Sequence, residues 1–320
     1  MVKEVEFILG PAGTGKTRRC LDDIVARIET EPLGRPRILL LPEHMTYRCE
    51  RELAARVPRG HGFLRTYVLG FRRLAYQVLV QTGGANLPRI SEVGRRLLLR
   101  RILLEHQKSK DLRVFARQAR QRGFTEVLSD AIREVRSYRL TPDLLRETAD
   151  ALDESSSRLA GKLTELATLT EEFSSAMAGH ATDAEDMMDE LAVRLPQAEL
   201  ARGAEVWIDG FMFFNPQEKE VLKALFLTAD TVHIALPLAV KNGSIECSDN
   251  QLQTGLFARQ YRTYHDVSAM LNEIAPQVKR TMTLLTQNRR AKQEDLQVIA
   301  SSLFAPPGRK NIADAPKTNC

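Results

Sequence analysis

Gly10-Pro11-Ala12-Gly13-Thr14-Gly15-Lys16-Thr17 decides how this 320-residue chain is read. It fits the P-loop pattern G-x-x-x-x-G-K-[ST] with nothing missing. Before it, Val5, Phe7, Ile8 and Leu9 form a short apolar strand. After it, Cys20, Leu21, Ile24, Val25 and Ile28 recur at helical spacing. The glycines allow φ values that a side chain forbids. The loop can then wrap a phosphate with its N–H groups, aided by the positive end of the following helix. Lys16 is expected on the β- and γ-phosphates of ATP, and the Thr17 hydroxyl on Mg²⁺.

Working outward, Ile38-Leu39-Leu40-Leu41 is a continuous apolar run, as a buried parallel strand requires. A helix through about Val57 follows, and a third strand is expected over residues 63–69. From Phe71 to about Leu200 the periodicity is almost wholly helical. Phe71, Leu74, Ala75, Val78 and Leu79 mark one helix, stopped by Gly83-Gly84. Ser91 caps the next, with Leu97, Leu98, Ile102 and Leu103 expected inward and Arg95, Arg96, Arg100 and Arg101 outward. Residues 113–121 are short and basic. Helices follow around Phe124–Tyr138, after Thr141-Pro142 (an N-cap with proline at the first helical position), over Leu159–Phe173, and over Met187–Leu195. Ser155-Ser156-Ser157 and the Gly179 region read as hinges.

The α/β pattern then returns. Glu205-Val206-Trp207-Ile208 is a strand that ends in Asp209. Asn215, Pro216 and Glu218 form a capping box. Residues 231–236 and 278–285 read as strands, 266–274 and 296–304 as helices, and 241–253 as a polar loop. The expected architecture is α/β: a P-loop domain in two parts, residues 1–70 and 204–305. A helical insertion, residues 71–203, separates them, and an irregular tail covers 306–320. Early and late strands should share one sheet.

A P-loop needs an acid at the end of a neighbouring strand to hold Mg²⁺, and Asp209 is the candidate. The alternative is a strand-end turn residue with no ligand. A hydrolytic motor often carries glutamate next; here Gly210 follows, so binding is better supported than turnover.

Charge is unevenly spread. Residues 95–140 hold 13 Lys/Arg against 5 Asp/Glu, and residues 141–205 hold 5 against 15. This suits either facing or solvated helices, or a face for a polyanion, for which Arg95, Arg96, Arg100, Arg101, Arg117 and Arg120 are the candidates. The four cysteines, Cys20, Cys49, Cys247 and Cys320, have no metal-ligand spacing. With no signal peptide and no apolar run of membrane length, a reduced cytoplasmic protein is expected, away from membranes.

Several of these stretches, taken in order, resemble the N-terminal part of the AddB family, the B subunits of bacterial ATP-dependent helicase–nucleases. They are Gly10 to Thr17, Leu41-Pro42-Glu43-His44-Met45-Thr46-Tyr47, Leu69-Gly70-Phe71-Arg72-Arg73-Leu74-Ala75, and Ile208-Asp209-Gly210-Phe211 with Asn215-Pro216-Gln217-Glu218. The helix at Gly123-Phe124 and that over Leu159–Phe173 are similar too. The resemblance implies a RecA-like, superfamily 1 helicase-like fold whose motor motifs have decayed apart from the P-loop. It implies pairing with an AddA-like subunit and processing of double-stranded DNA ends for recombinational repair, with single-stranded DNA as a further partner. It also implies an association with Chi recognition. The family's C-terminal nuclease and its four-cysteine iron–sulfur cluster have no counterpart in these 320 residues, so no cluster ligands are assigned. The expectation is a fragment or a truncated reading frame. Two other readings stay open: an independent P-loop ATPase or kinase with a helical lid, and a catalytically silent scaffold for DNA or a partner.

Overall fold

The computed structural model describes residues 1–58, 62–83, 88–121, 123–241, 244–245, 256–290 and 296. The chain divides into two compact units. One comprises residues 1–74, 195–214 and those from 222 onward; the other comprises 75–194 and 215–221.

The first unit is built on six strands: β1 (Glu4–Gly10), β2 (Arg37–Leu40), β3 (Thr66–Leu69), β4 (Glu205–Ile208), β5 (Thr231–Pro237) and β8 (Lys279–Leu284). Their order is β3-β2-β4-β5-β1-β8, with every pair parallel. Early and late strands do share one sheet. The short β6 (Val240–Lys241) and β7 (Ser244–Ile245) pair separately, inside the stretch expected to be loop. The inner strands β1, β2, β4 and β5 are mostly apolar and buried because helices cover them. Cys20, Leu21, Ile24 and Ile28 of α1 (Lys16–Thr30) pack with Cys49 and Leu53 of α2 (Glu43–Arg56). Their partners in the sheet are Ile8, Leu39, Val68, Trp207 and Ala235. Truncating one such buried residue to alanine costs about 2–5 kcal/mol. On the same sheet, Phe7 meets Tyr264 of α10 (Ala258–Ile274) edge-on, ring centroids 5.0 Å apart.

In this unit, β3 and α10 differ most in length from their sequence expectation. β3 starts only at Thr66, because Arg65 has a φ of 56°, which no strand tolerates. α10 begins at Ala258 rather than near Asp266, since Tyr261 and Thr263 already belong to its buried face. Gly84, Cys247, Cys320, the helix expected from Leu296 to Phe304 (beyond Leu296 itself) and the tail lie outside the described residues.

The second unit holds most of α3 (Phe71–Thr82) with α4 (Glu92–Ser109), α5 (Phe124–Ser137), α6 (Pro142–Asp150), α7 (Ser157–Met177) and α8 (Ala184–Arg194). α9 (Pro216–Thr228) begins in this unit and leads back into the first. The caps are where the sequence places them. Ser91 Oγ accepts from Gly94 N at 3.1 Å, and Thr141 Oγ1 from Leu144 N at 3.2 Å. Asn215 and Glu218 satisfy each other's N–H groups at 2.8 and 2.9 Å. The core joins Leu99, Ile102 and Leu103 to Leu128, Ile132, Leu169, Phe173 and Met177. The basic link after α4 is organised by Glu165, whose carboxylate accepts the N–H groups of Arg113, Val114 and Phe115.

One correction concerns α4. Leu97 is 65% exposed and Leu98 only half-buried, whereas Arg95 is 3% exposed. The buried stripe runs Arg95, Leu99, Ile102, Leu103 and His106, so Ile102 and Leu103 face inward as expected, while the stripe as a whole is rotated from the sequence reading by roughly 60°.

At the amino edge of the sheet, His233 lies between two carboxylates, Nδ1 at 2.6 Å from Glu6 and Nε2 at 3.2 Å from Glu205. Its ring stacks on Trp207 at 5.0 Å. Burial opposes charge on His233, but both carboxylates outweigh it and raise the imidazole to about 9. The His233 contact holds Glu6 down to about 2. The histidine's contribution to stability is therefore complete below pH 6.5 and lost as pH rises through about 9. That of Glu6 is complete above pH 4.5 and lost as pH falls through about 2. Urea midpoints should be highest between pH 4.5 and 6.5. In His233→Leu the alkaline fall should flatten relative to wild type. An unchanged alkaline limb would count against the ion triad.

Candidate nucleotide site

The Gly10–Thr17 loop leaves β1 at the carboxyl edge of the sheet and enters α1 at Lys16. Gly13 and Gly15 have φ of 88° and 92°, so both turns need glycine. Thr14 is buried and its hydroxyl donates to Pro11 O at 2.9 Å, pinning the loop from inside. Lys16 Nζ donates to Gly10 O at 2.7 Å and Pro11 O at 2.8 Å. Burial lowers the pKa of Lys16; Asp209 works against that and Arg290 adds to it.

Asp209 follows β4, and β5 stands between β4 and β1. Its N–H donates to Leu40 O at 3.1 Å, and the side chain is 3% exposed. Burial raises the carboxyl pKa, opposed by hydrogen bonds from the Thr17 hydroxyl and the Gly210 N–H and by the charge of Lys16. The Oδ2 atom is buried with no hydrogen-bond partner. Lys16, Thr17 and Asp209 are therefore brought together, as the motif reading requires. Among the described residues no group of three His, Cys, Asp or Glu gathers as a metal site. The donors at hand are one hydroxyl, one carboxylate and the space at the loop, which is what a cation bound chiefly through phosphate and water needs.

Segment 285–290 belongs to this site and went unnoticed in the sequence. Leu285 N donates to Leu9 O at 2.8 Å, and Arg289 N to Gly13 O at 2.9 Å. Asn288 Oδ1 accepts from Arg290 N at 2.9 Å and sits 2.7 Å from where a Cβ of Gly13 would be. The aliphatic stem of Arg289 lies against Gly15, and the charge of Arg290 is felt by Lys16. Two guanidinium-bearing residues thus adjoin the loop. The available signal was a pair of arginines just beyond the carboxyl end of a strand. Glu43 was also missed as a structural piece. Its carboxylate accepts from Arg72 N at 3.0 Å and so caps the start of α3.

Gly210 explains the missing acid. Its φ is +83°, and a Cβ there would lie 2.6 Å from Met45 Sδ and 3.1 Å from Pro42 Cδ. A side chain there is strained by the left-handed backbone and has to move the Met45 thioether, with Pro42 giving by a few tenths of an ångström.

The arginines named for DNA are dispersed. Arg95 donates to Ser129 Oγ at 3.0 Å, Asp183 Oδ2 at 2.8 Å and Glu185 Oε2 at 3.3 Å, under the Phe173 ring. It is a core cation in a network with Arg136, Asp183 and Asp186, not the outward residue expected of it. Arg96 pairs with Glu126 at 2.7 Å, and Arg101 lies 3.9 Å from Glu105. Arg100 donates to Ala119 O at 2.9 Å, while Arg117 and Arg120 are exposed. Cys20 and Cys49 are buried free thiols. No described helix is long and apolar enough to cross a membrane.

The clash at Gly210 makes a direct expectation. Gly210→Ala should destabilise the fold by about 1–3 kcal/mol in urea melts, from the left-handed backbone alone. The penalty should shrink in a Met45→Ala background. Equal penalties in both backgrounds would remove Met45 from the account.

A family model described as "ADDB, N-terminal" matches residues 7–300. Three similar curated proteins are each named as the B subunit of an ATP-dependent helicase/deoxyribonuclease. That of Symbiobacterium thermophilum is 42% identical over 237 residues, 72% of this chain and 20% of its own length. That of Desulfitobacterium hafniense (strain DSM 10664 / DCB-2) is 40% identical over 234 residues, 73% of this chain and 19% of its own length. That of Pelotomaculum thermopropionicum is 38% identical over 308 residues, 95% of this chain and 26% of its own length. The chain thus spans only about a fifth to a quarter of these relatives. With nearly its whole length inside the family match, the chain belongs to the AddB N-terminal family.

Proposed function

We propose that this chain is the ATP-binding, helicase-like region of a helicase–nuclease subunit that acts on DNA ends in recombinational repair. The relatives' name points to that activity, and the P-loop with Asp209 points to the nucleotide. On this reading the sheet is a RecA-like P-loop domain. An AddA-like subunit and DNA are its partners, and the bacterial cytoplasm is its place.

The observation that carries the nucleotide assignment is the pairing of the Thr17 hydroxyl with the buried Asp209 carboxylate, whose Oδ2 lacks a partner. In ATP binding, Lys16 would turn from the Gly10 and Pro11 carbonyls to the β- and γ-phosphates. The N–H groups of residues 13–17 would line the phosphate chain, and Arg289 and Arg290 would add positive charge beside it. Thr17 and Asp209 would hold Mg²⁺, which supplies charge neutralisation between the phosphates. The residue after Asp209 is Gly210, so the chain offers no adjoining carboxylate there to orient an attacking water. Binding without independent turnover is the consequence. A small-molecule kinase is the weaker alternative, and a nucleotide-free scaffold is the other.

ATP affinity and turnover, measured with and without DNA, separate these readings. Wild type should bind ATP–Mg²⁺ with turnover at background. Lys16→Ala should weaken binding at least about tenfold, or about 1.4 kcal/mol, without lowering thermal stability. ATP affinity unaffected by Lys16→Ala would favour the scaffold, and DNA-independent phosphorylation of a small molecule would favour the kinase.

DNA contact rests on the exposed Arg117 and Arg120. Replacing both with alanine should reduce the slope of log K against log salt by about 2, near 0.9 for each phosphate no longer neutralised. An unchanged slope would move the DNA surface elsewhere.

A further inference from the structure

α4 has an outward stripe that neither its fold nor the nucleotide site uses. Val93 and Leu97 are each 65% exposed, and Leu104 is 41% exposed. At about 100° per residue the three fall within an arc of about 40°, and they span about 16 Å of helix. Val127 on α5 is also 65% exposed and adjoins Glu126, which reaches Arg96 on α4 at 2.7 Å. Single exposed leucines are ordinary, but three large apolar residues in register along one helix form a strip.

The strip is flanked by cations. Helical spacing places Arg96 and Arg100 along one side and Arg101 and Lys108 along the other. Arg100 donates to a neutral carbonyl rather than to a carboxylate. The Arg101 contact with Glu105 is 3.9 Å long between side chains that are each 67% exposed, so it neutralises little. A phosphate-tracking surface would present cations along its centre; here the centre is aliphatic and the cations are at the margins. That arrangement fits an amphipathic helix carrying acids beside its apolar stripe.

We propose that this face of α4 docks an amphipathic helix of a partner protein. Apolar residues of that helix at i, i+4, i+7 and i+11 pack on Val93, Leu97 and Leu104. Its flanking Asp and Glu residues meet Arg100, Arg101 and Lys108.

The test uses the full chain and a labelled 20-residue helical peptide with leucine at i, i+4, i+7 and i+11 and glutamate on the flanks, read by fluorescence anisotropy. Controls are the same peptide with lysine flanks, a scrambled peptide of the same composition, and a single-stranded oligonucleotide. The glutamate-flanked peptide should bind, and both peptide controls should bind at least about tenfold more weakly. Leu97→Ser/Leu104→Ser should weaken its binding by a similar factor while leaving the thermal midpoint unchanged, since both side chains are exposed. Arg100→Glu/Arg101→Glu should reverse the preference toward the lysine-flanked peptide. Absence of binding, equal binding of the scrambled peptide, or unchanged binding to the serine variant would overturn the proposal. Loss of oligonucleotide binding in the serine variant would overturn it too, by marking the face as a nucleic-acid surface.

Discussion

The carboxyl edge of the sheet depends on β1 lying between β5 and β8, hydrogen-bonded in parallel register to both. Parallel pairing puts all strand ends on one side, where loops and helix amino termini converge. The Gly10–Thr17 loop, segment 285–290 and the end of β4 therefore meet, although they lie far apart in the chain. Register does the positioning: Leu9 is paired with Leu236 and with Leu284, so Leu285 leaves β8 beside Gly10.

The acid at the end of β4 is enclosed, while Lys16 and Thr17 are partly exposed. Asp209 is almost wholly buried, Thr17 and the Gly210 N–H occupy part of its capacity, and one oxygen is left over. Leaving a buried acceptor unmatched costs about 1–3 kcal/mol. Lys16 is similarly drawn down by burial and leans on the carbonyls of its own loop. Both groups are ionisable side chains whose charge burial opposes, and each works against the other's shift.

Local chemistry was legible in the sequence wherever a pattern of a few residues determines the outcome. The strand–loop–helix around Gly10–Thr17, the capping boxes and the apolar strands are of that kind. Arg95 shows the limit. It shares a helical stripe with Leu99, Ile102 and His106, so its inward direction was present in the spacing. The run of leucines from Leu97 to Leu99 offered a competing stripe, and a charged residue is assigned outward by habit. Only its buried partners, Asp183 and Glu185, decide the matter, and they come from 88 and 90 residues further along. Arg289 and Arg290 carry a local signal, two arginines just past a strand, but their place beside the loop follows from strand order, which no local window contains.

The contact between Gly210 and Met45 also ties the end of β4 to the first turn of α2. A residue with a Cβ at position 210 meets two demands at once: a left-handed backbone that side chains rarely adopt, and a thioether 2.6 Å from where that Cβ would sit. Relieving one leaves the other. Positions 45 and 210 therefore behave as a coupled pair, whose substitutions do not simply add.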